Sequence, residues 1–272
     1  MAIKIHCSAL PGYADCPRRN ACSPWMLRNE IIEAGFVLRD ERKGIGATVG
    51  KSVHAGANET MLEKVKTGGN PCSESRAVDR AIVEYCSNVP DNDFDATTPD
   101  QTTGERQVIR QTRAYYNLVA PKINPFFTEQ RYSADLGNGF YLTGQPDVLE
   151  QGGNLRDAKC GSVFRDCRAQ GGGYGVLLRA NKMEIAGFDV DFIPRVKIQK
   201  PQAAPETHTY VIAEAEKTAW FLIKKILADI SEFRKTKNPW SLSANPMSML
   251  CGEKYCSAYG TEFCEFKKEA KK

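Results

Sequence analysis

The stretch FYLTGQPDVLEQGGNLRDAKC, residues 140–160, decides how the chain is read. It opens on alternating apolar positions, Phe140 and Leu142, passes Gly144-Gln145-Pro146, and resumes with Asp147-Val148-Leu149. Gln151-Gly152-Gly153-Asn154 is a turn signal, and Leu155 to Cys160 is a second extended run. Two extended runs joined by a glycine turn predict antiparallel neighbours. On the second, Asp157 and Lys159 stand two apart and so project from one face of a strand. Antiparallel pairing brings Asp147 toward them. Two carboxylates and an ammonium gathered at a sheet edge cost desolvation energy unless some chemistry uses them. Hard oxygen ligands of this kind suit Mg²⁺ or Mn²⁺, which activate water and neutralise phosphate charge. A surface salt bridge between Asp157 and Lys159 is the plainer reading of the same residues.

Outward from this stretch, Phe126 to Leu136 predicts a strand, and Gly137-Asn138-Gly139 predicts a hairpin turn that needs positive φ. Phe140 to Leu149 is then the returning strand. Downstream come a helix over Arg168 to Arg179 and a fourth strand over Val190 to Ile198. A long helix over Tyr210 to Phe233 should bury Val211, Ala215, Ala219, Leu222, Ile223, Ile226 and Ile230. The first third is helical in pattern, interrupted at Lys66 to Ser75 and at Asn88 to Gly104; the second interruption reads as a mobile loop. A helix over Glu105 to Val119 follows, with Arg106, Arg110 and Arg113 along one side. Lys267 to Lys272 reads as a solvated tail. The fold class is therefore α/β (α+β), a small central mixed sheet flanked by helices. We read one domain with a helical part (1–120), a core (121–235) and a cysteine-bearing segment (236–272).

The chain has 272 residues, 42% hydrophobic and 26% charged, with 37 Lys+Arg against 33 Asp+Glu. A net charge of +4 neither demands nor excludes nucleic acid. No apolar run approaches transmembrane length, and residues 1–6 lack the apolar core of a signal peptide, so an intracellular protein without a membrane span is expected. Gly50-Lys51-Ser52 ends like a phosphate-binding loop, but position 45, where the first glycine belongs, is Ile45. The preceding run from Arg39 to Lys43 is charged and is no buried strand.

The ordered set Gly50-x-x-x-His54, Glu129, Gly144-x-x-Asp147, Asp157-x-Lys159 and Gln170-x-x-x-Tyr174 resembles the RecB-like branch of the PD-(D/E)XK nuclease superfamily. The resemblance spans about Cys16 to Cys264 and implies a restriction-endonuclease-like core. It implies that His54, Asp147, Asp157 and the Ala158 carbonyl hold Mg²⁺ or Mn²⁺. It further implies that Lys159 orients the attacking water and stabilises charge on the phosphate. Glu129 matches a supporting acid, and Gln170 and Tyr174 match the motif that contacts DNA and steadies the site. Gly171-Gly172-Gly173 departs from an ordinary helix, at about 1 kcal/mol per glycine relative to alanine. It implies a distorted helix or the close approach of a DNA backbone.

Ten cysteines are the unusual count. Cys16 near the start and Cys251, Cys256 and Cys264 near the end resemble the iron–sulfur branch of that family. That branch includes AddB-type nuclease domains and CRISPR-associated adaptation exonucleases. The resemblance implies a [4Fe–4S] cluster tying the chain ends together, with zinc as the alternative. Cys7, Cys22, Cys72, Cys86, Cys160 and Cys167 lack metal-ligand spacing and read as small apolar fillers. The expected function is a metal-dependent DNA exonuclease acting on single-stranded or end-containing DNA in recombination, repair or phage DNA metabolism. A helicase or recombination partner would supply any unwinding. Arg18, Arg19, Arg106, Arg110 and Arg113 are candidate phosphate contacts. A non-catalytic, cluster-bearing DNA-binding or adaptor protein is the competing reading.

Overall fold

Between Gly144 and Val148 the chain leaves one sheet and enters another, and this crossing places the carboxylates. In the computed structural model, which describes residues 3–40, 43–90 and 92–266, the strands divide between two main sheets. The expected tail at Lys267 to Lys272 lies outside the described residues, as do Glu41, Arg42 and Asp91.

The chain opens with strand β1 (Ile3–His6) and short helices α1 (Leu10–Asp15), α2 (Pro17–Ala21) and α3 (Arg28–Glu33). A two-residue strand β2 (Lys43–Gly44) leads into the long helix α4 (Ile45–Thr67), followed by α5 (Glu74–Asn88), β3 (Asn92–Asp93) and α6 (Gln101–Ala114). The strands β4 (Pro125–Thr128), β5 (Tyr132–Gly137), β6 (Phe140–Gly144), β7 (Val148–Glu150) and β8 (Asn154–Gly161) come next. Helix α7 (Arg168–Ala180), β9 (Gly187–Pro194), β10 (Glu206–Tyr210) and α8 (Ile212–Thr236) complete the core. Among the described residues no helix is long and apolar enough to cross a membrane.

A five-stranded mixed sheet runs β10-β9-β8-β7-β4, in which β8 and β9 are parallel and the other neighbours antiparallel. A three-stranded sheet runs β1-β6-β5, and β2 pairs with β3. Alternation along β8 feeds two cores. Leu155 joins Phe188, Leu177, Leu178 and Ile223 under α7 and α8, while Ala158 joins Ala57, Met61, Tyr115 and Ile193 under α4. Strand β8 is therefore clamped between helices on both faces.

Several local expectations are corrected. The single strand expected over Phe126 to Leu136 is two, because Glu129 adopts φ +46° between β4 and β5. The returning strand over Phe140 to Leu149 is likewise split into β6 and β7 at Gln145-Pro146-Asp147. The turn at Gly137-Asn138-Gly139 is as expected, with φ of +82°, +53° and +79°. The long helix expected from Tyr210 starts at Ile212, because Glu206–Tyr210 forms strand β10, and Val211 between them is exposed rather than buried. The segment before α6 is anchored rather than loose: Thr98 is buried, and Asp95 pairs with Arg195 at 2.8 Å. Helix α6 starts at Gln101 because Asp100 caps it, accepting the Thr103 N–H at 2.7 Å. Gly50-Lys51-Ser52 lies inside α4 and forms no loop at all.

The three glycines of α7 do not distort it. The helix is continuous from Arg168 to Ala180, and all three are buried. A Cβ on Gly172 would overlap the Ala215 carbonyl of α8, and one on Gly171 would overlap the Phe188 ring. The backbone that approaches closely is that of α8.

Candidate active site

Asp147 sits in the crossing, just before β7, and reaches both neighbouring elements. Its Oδ2 accepts the Ala158 N–H at 2.9 Å and lies 3.2 Å from His54 Nδ1 on α4. The β7–β8 ladder ends at the Val148–Arg156 pair, so the Ala158 N–H has no strand partner and turns to this carboxylate. In an extended strand the N–H and C=O of one residue point to the same side, so the Ala158 carbonyl also faces Asp147. Burial would raise the Asp147 carboxyl; His54, Lys159 and the Ala158 N–H outweigh it and hold the group below the usual carboxylate range. Burial opposes charge on His54 too, but Asp147 wins and raises the imidazole.

Asp157 and Lys159 share the face turned toward α7. The Lys159 ammonium lies 2.6 Å from Asp157 Oδ2, and Gln170 Nε2 donates to Asp157 Oδ1 at 2.9 Å. The pair is no surface salt bridge, since Asp157 is only 1% exposed. Burial pushes the Asp157 carboxyl up to about 6, with Asp147 adding to the effect and Lys159 opposing it. Burial disfavours the Lys159 ammonium, yet Asp157 and Asp147 keep it charged well above neutral pH. Gln170 Nε2 also approaches Tyr174 Oη at 3.2 Å, and that hydroxyl donates to the Gln145 carbonyl at 3.3 Å. One turn of α7 thus ties Asp157 to the segment that carries Asp147.

Glu129 closes the other side. Its N–H donates to the Asp147 carbonyl at 3.1 Å, and Asn58 Nδ2 donates to its Oε2 at 2.8 Å. Thr128 Oγ1 lies 2.8 Å from both Asn58 Oδ1 and the Asp147 carbonyl. Burial and the Asp147 charge raise the Glu129 carboxyl. Glu129 is half-buried and lines a recess that it shares with His54, Asn58, Asp147, Arg156 and Asp191 on its polar side and with Met61, Tyr115 and Ile123 on its apolar side. Asn58 and the buried Arg156–Asp191 pair were missed in the sequence. Arg156 grips Asp191 with two bonds, 2.9 Å from Nε and 2.6 Å from Nη2. Asn58 was findable, one helical turn after His54 on the same face; nothing local marked Arg156.

These residues offer a divalent cation two carboxylates, an imidazole and a backbone carbonyl, a donor set that suits Mg²⁺ or Mn²⁺. Among the described residues no three His, Cys, Asp or Glu side chains, at this site or among the cysteines, stand close enough together to hold a metal ion as they are placed. Asp157 leans on Lys159, and binding a cation between it and Asp147 would require that contact to loosen.

Cys16, Cys251, Cys256 and Cys264 all line one pocket, together with Arg19, Asn245, Ser248 and Tyr259. Burial raises the Cys256 thiol to about 11; the Ala258 N–H opposes this, and Cys16 and Cys264 add to it. Four thiols on one pocket have the donor chemistry for an iron–sulfur cluster or for zinc. Cys22 is buried, and its thiol donates to the Arg18 carbonyl at 3.2 Å. Cys86 is exposed, so it is no core filler.

Most of the arginines proposed for phosphate are already engaged. Arg18 is 2% exposed beneath Trp240, with 4.7 Å from its guanidinium carbon to the ring centroid. Arg19 pairs with Asp15 at 2.7 Å, Arg113 pairs with Glu74 at 3.0 Å, and Arg110 donates to the Ile198 and Lys200 carbonyls. Arg106 remains exposed on α6.

The fold is similar to that of a solved structure described as a candidate exonuclease. A candidate exonuclease from Eubacterium rectale matches with a TM-score of 0.51 and 13% identity, over 82% of this chain and 80% of that one. More distantly, the alkaline exonuclease LHK-Exo from Laribacter hongkongensis matches with a TM-score of 0.32 and 12% identity, over 69% of this chain and 97% of its own. The complex of LHK-Exo with dAMP gives 0.31 and 14%, over 68% and 95%. No protein-family model and no curated protein matches the sequence.

Proposed function

We propose that this protein is a metal-dependent DNA nuclease of the RecB-like PD-(D/E)XK type, acting as an exonuclease on DNA ends. The observation that carries the reading is the Asp147 carboxylate. It joins His54 on α4 to the Ala158 amide of the strand that bears Asp157 and Lys159. His54, Asp147, Asp157 and the Ala158 carbonyl would hold Mg²⁺ or Mn²⁺, which would supply charge neutralisation at the phosphate and a more acidic water. Lys159, kept charged by its carboxylate neighbours, orients the attacking water and faces the charge that builds on the phosphoryl oxygens. Gln170 holds Asp157, and Tyr174 holds the Gln145 end of the crossing. Glu129 supports Asp147 from β4 through the backbone bond at 3.1 Å. The shared pocket of Cys16, Cys251, Cys256 and Cys264 supports a [4Fe–4S] staple between the chain ends, with zinc as the alternative occupant.

The test is digestion of end-labelled linear DNA with Mg²⁺ or Mn²⁺, with circular DNA as the endonuclease control. Asp157→Ala and Lys159→Ala should each abolish digestion while leaving DNA binding in place. If both variants digest as the wild type does, the site assignment is wrong. Anaerobic purification followed by iron, sulfide and zinc analysis tests the second site. A colourless preparation with zinc and no iron would remove the cluster.

A further inference from the structure

The three-stranded sheet has one buried and one open face, and the open face ends at the candidate active site. On β1, Ile3 and Ile5 are buried, so Lys4 and His6 point outward together. Their partners on β6 are Tyr141 and Thr143, and Thr143 Oγ1 lies 3.2 Å from His6 Nδ1. Trp25, 50% exposed, stands edge-on to the His6 ring with centroids 6.2 Å apart. At the same end, the exposed Arg131 donates from Nε to Gln145 Oε1 at 2.9 Å.

That last bond fixes the position of the patch. Arg131 is two residues from Glu129, and Gln145 is two residues from Asp147. Two residues of chain span at most about 7 Å. The Arg131–Gln145 bridge therefore forms the rim of the site on the side of this sheet. Arg131 has no carboxylate partner among the described residues, so its outer nitrogens remain available for an anion. Asp135, an acid on this open face, shares a cross-strand row with Tyr141 and Lys4 and lies away from the rim, so the cation that faces no acid in the register is Arg131. Burial, with Lys4 and Arg131 adding to it, holds the His6 imidazole below its ordinary value.

We propose that Arg131, His6, Trp25 and Lys4 form a track for a single DNA strand passing the active site, with a phosphate on Arg131 and an unpaired base stacked on Trp25. The inference rests on the nuclease reading and deepens it by naming the strand form. Cations that follow a backbone, interleaved with an exposed aromatic ring, bind single strands without sequence preference, and only an unpaired base can offer its face to an indole.

Fluorescence anisotropy with labelled oligothymidylate and a blunt duplex of the same length, in EDTA, tests the track without cleavage. Trp25→Ala should weaken single-strand binding about tenfold, leave duplex binding within about twofold, and be largely rescued in Trp25→Phe. Arg131→Ala should weaken binding to a similar extent and reduce its salt dependence. Thermal melts identify any variant that misfolds, and Trp25→Leu, which keeps apolar bulk without a stacking face, and Arg131→Gln then serve as the milder pair. If the wild type digests DNA but these variants bind single strands unchanged, the track is wrong and the nuclease reading stands. If the wild type neither binds nor digests DNA, the nuclease reading falls and the track falls with it.

Discussion

Replacing Gly172 by alanine separates two explanations of the glycine run in α7. Helix propensity alone predicts stabilisation by about 1 kcal/mol, because alanine is the better helix former. The structure predicts the opposite. The new Cβ would lie 2.7 Å from the Glu216 amide nitrogen and closer still to the Ala215 carbonyl. Both obstacles are α8 backbone, which no rotamer change can move aside. Overpacking of a close-packed site costs about 1–3 kcal/mol, and a backbone obstacle belongs at the upper end. Subtracting the propensity gain leaves a net loss of about 2 kcal/mol. For a domain of this size that lowers Tm by roughly 4–8 °C. Gly12→Ala is the control, because its Cβ would meet the movable Asn20 side chain at 2.8 Å; it should change stability by less than about 1 kcal/mol. Calorimetry measures both variants, and anisotropy with DNA is read alongside. A Gly172→Ala protein that melts at or above the wild-type temperature would refute the packing argument. Loss of DNA binding at unchanged stability would show instead that the glycines make room for a DNA backbone.

Asn58→Ala leaves Glu129 Oε2 and the Thr128 hydroxyl without their amide partner, so nuclease activity should fall about tenfold through misplacement at the site. Steady-state assays should show the loss in kcat more than in KM. Glu30→Gln breaks a two-bond grip by Arg234 at 2.9 and 2.7 Å that links α3 to α8, costing about 1 kcal/mol at neutral pH. Arg234 holds the Glu30 carboxyl below its ordinary value, so the pair's contribution is complete above the unfolded pKa of about 4.5 and fades as pH falls through the lower folded value. Melts of wild type and Glu30→Gln should therefore differ at pH 7 and converge as pH falls below about 4.5; a constant difference would refute the linkage. Lys64→Met removes a buried ammonium that donates to the Ala120 and Ile123 carbonyls, and should cost about 3 kcal/mol in denaturant unfolding.

How much of this was legible depended on how far each signal reaches along the chain. Asp157 and Lys159 share a face because a strand has period two, and Gln170 and Tyr174 meet because a helix brings i and i+4 together; both rules act within one element. The crossing at Gln145-Pro146 was marked by a glycine and a proline but read through, because alternation stays in phase on both sides of it and says nothing about a change of sheet. The left-handed turn at Glu129 had no glycine to announce it. It is held by tertiary bonds, from its N–H to the Asp147 carbonyl and from Asn58 to its carboxylate, which no local pattern contains. The arginines make the same point from the other side. Arg18 and Arg19 look like a basic patch in the sequence, and only the return of the C-terminal segment turns them into its anchors, with Arg18 bonded to the Leu242 carbonyl and Arg19 to Ser248. A charge near a chain end is free or spent according to what packs against it more than two hundred residues later. Arg131 at the rim and Lys4 on the sheet, two of the cations open to solvent, stand apart in the sequence and form a patch only once β1 pairs with β6.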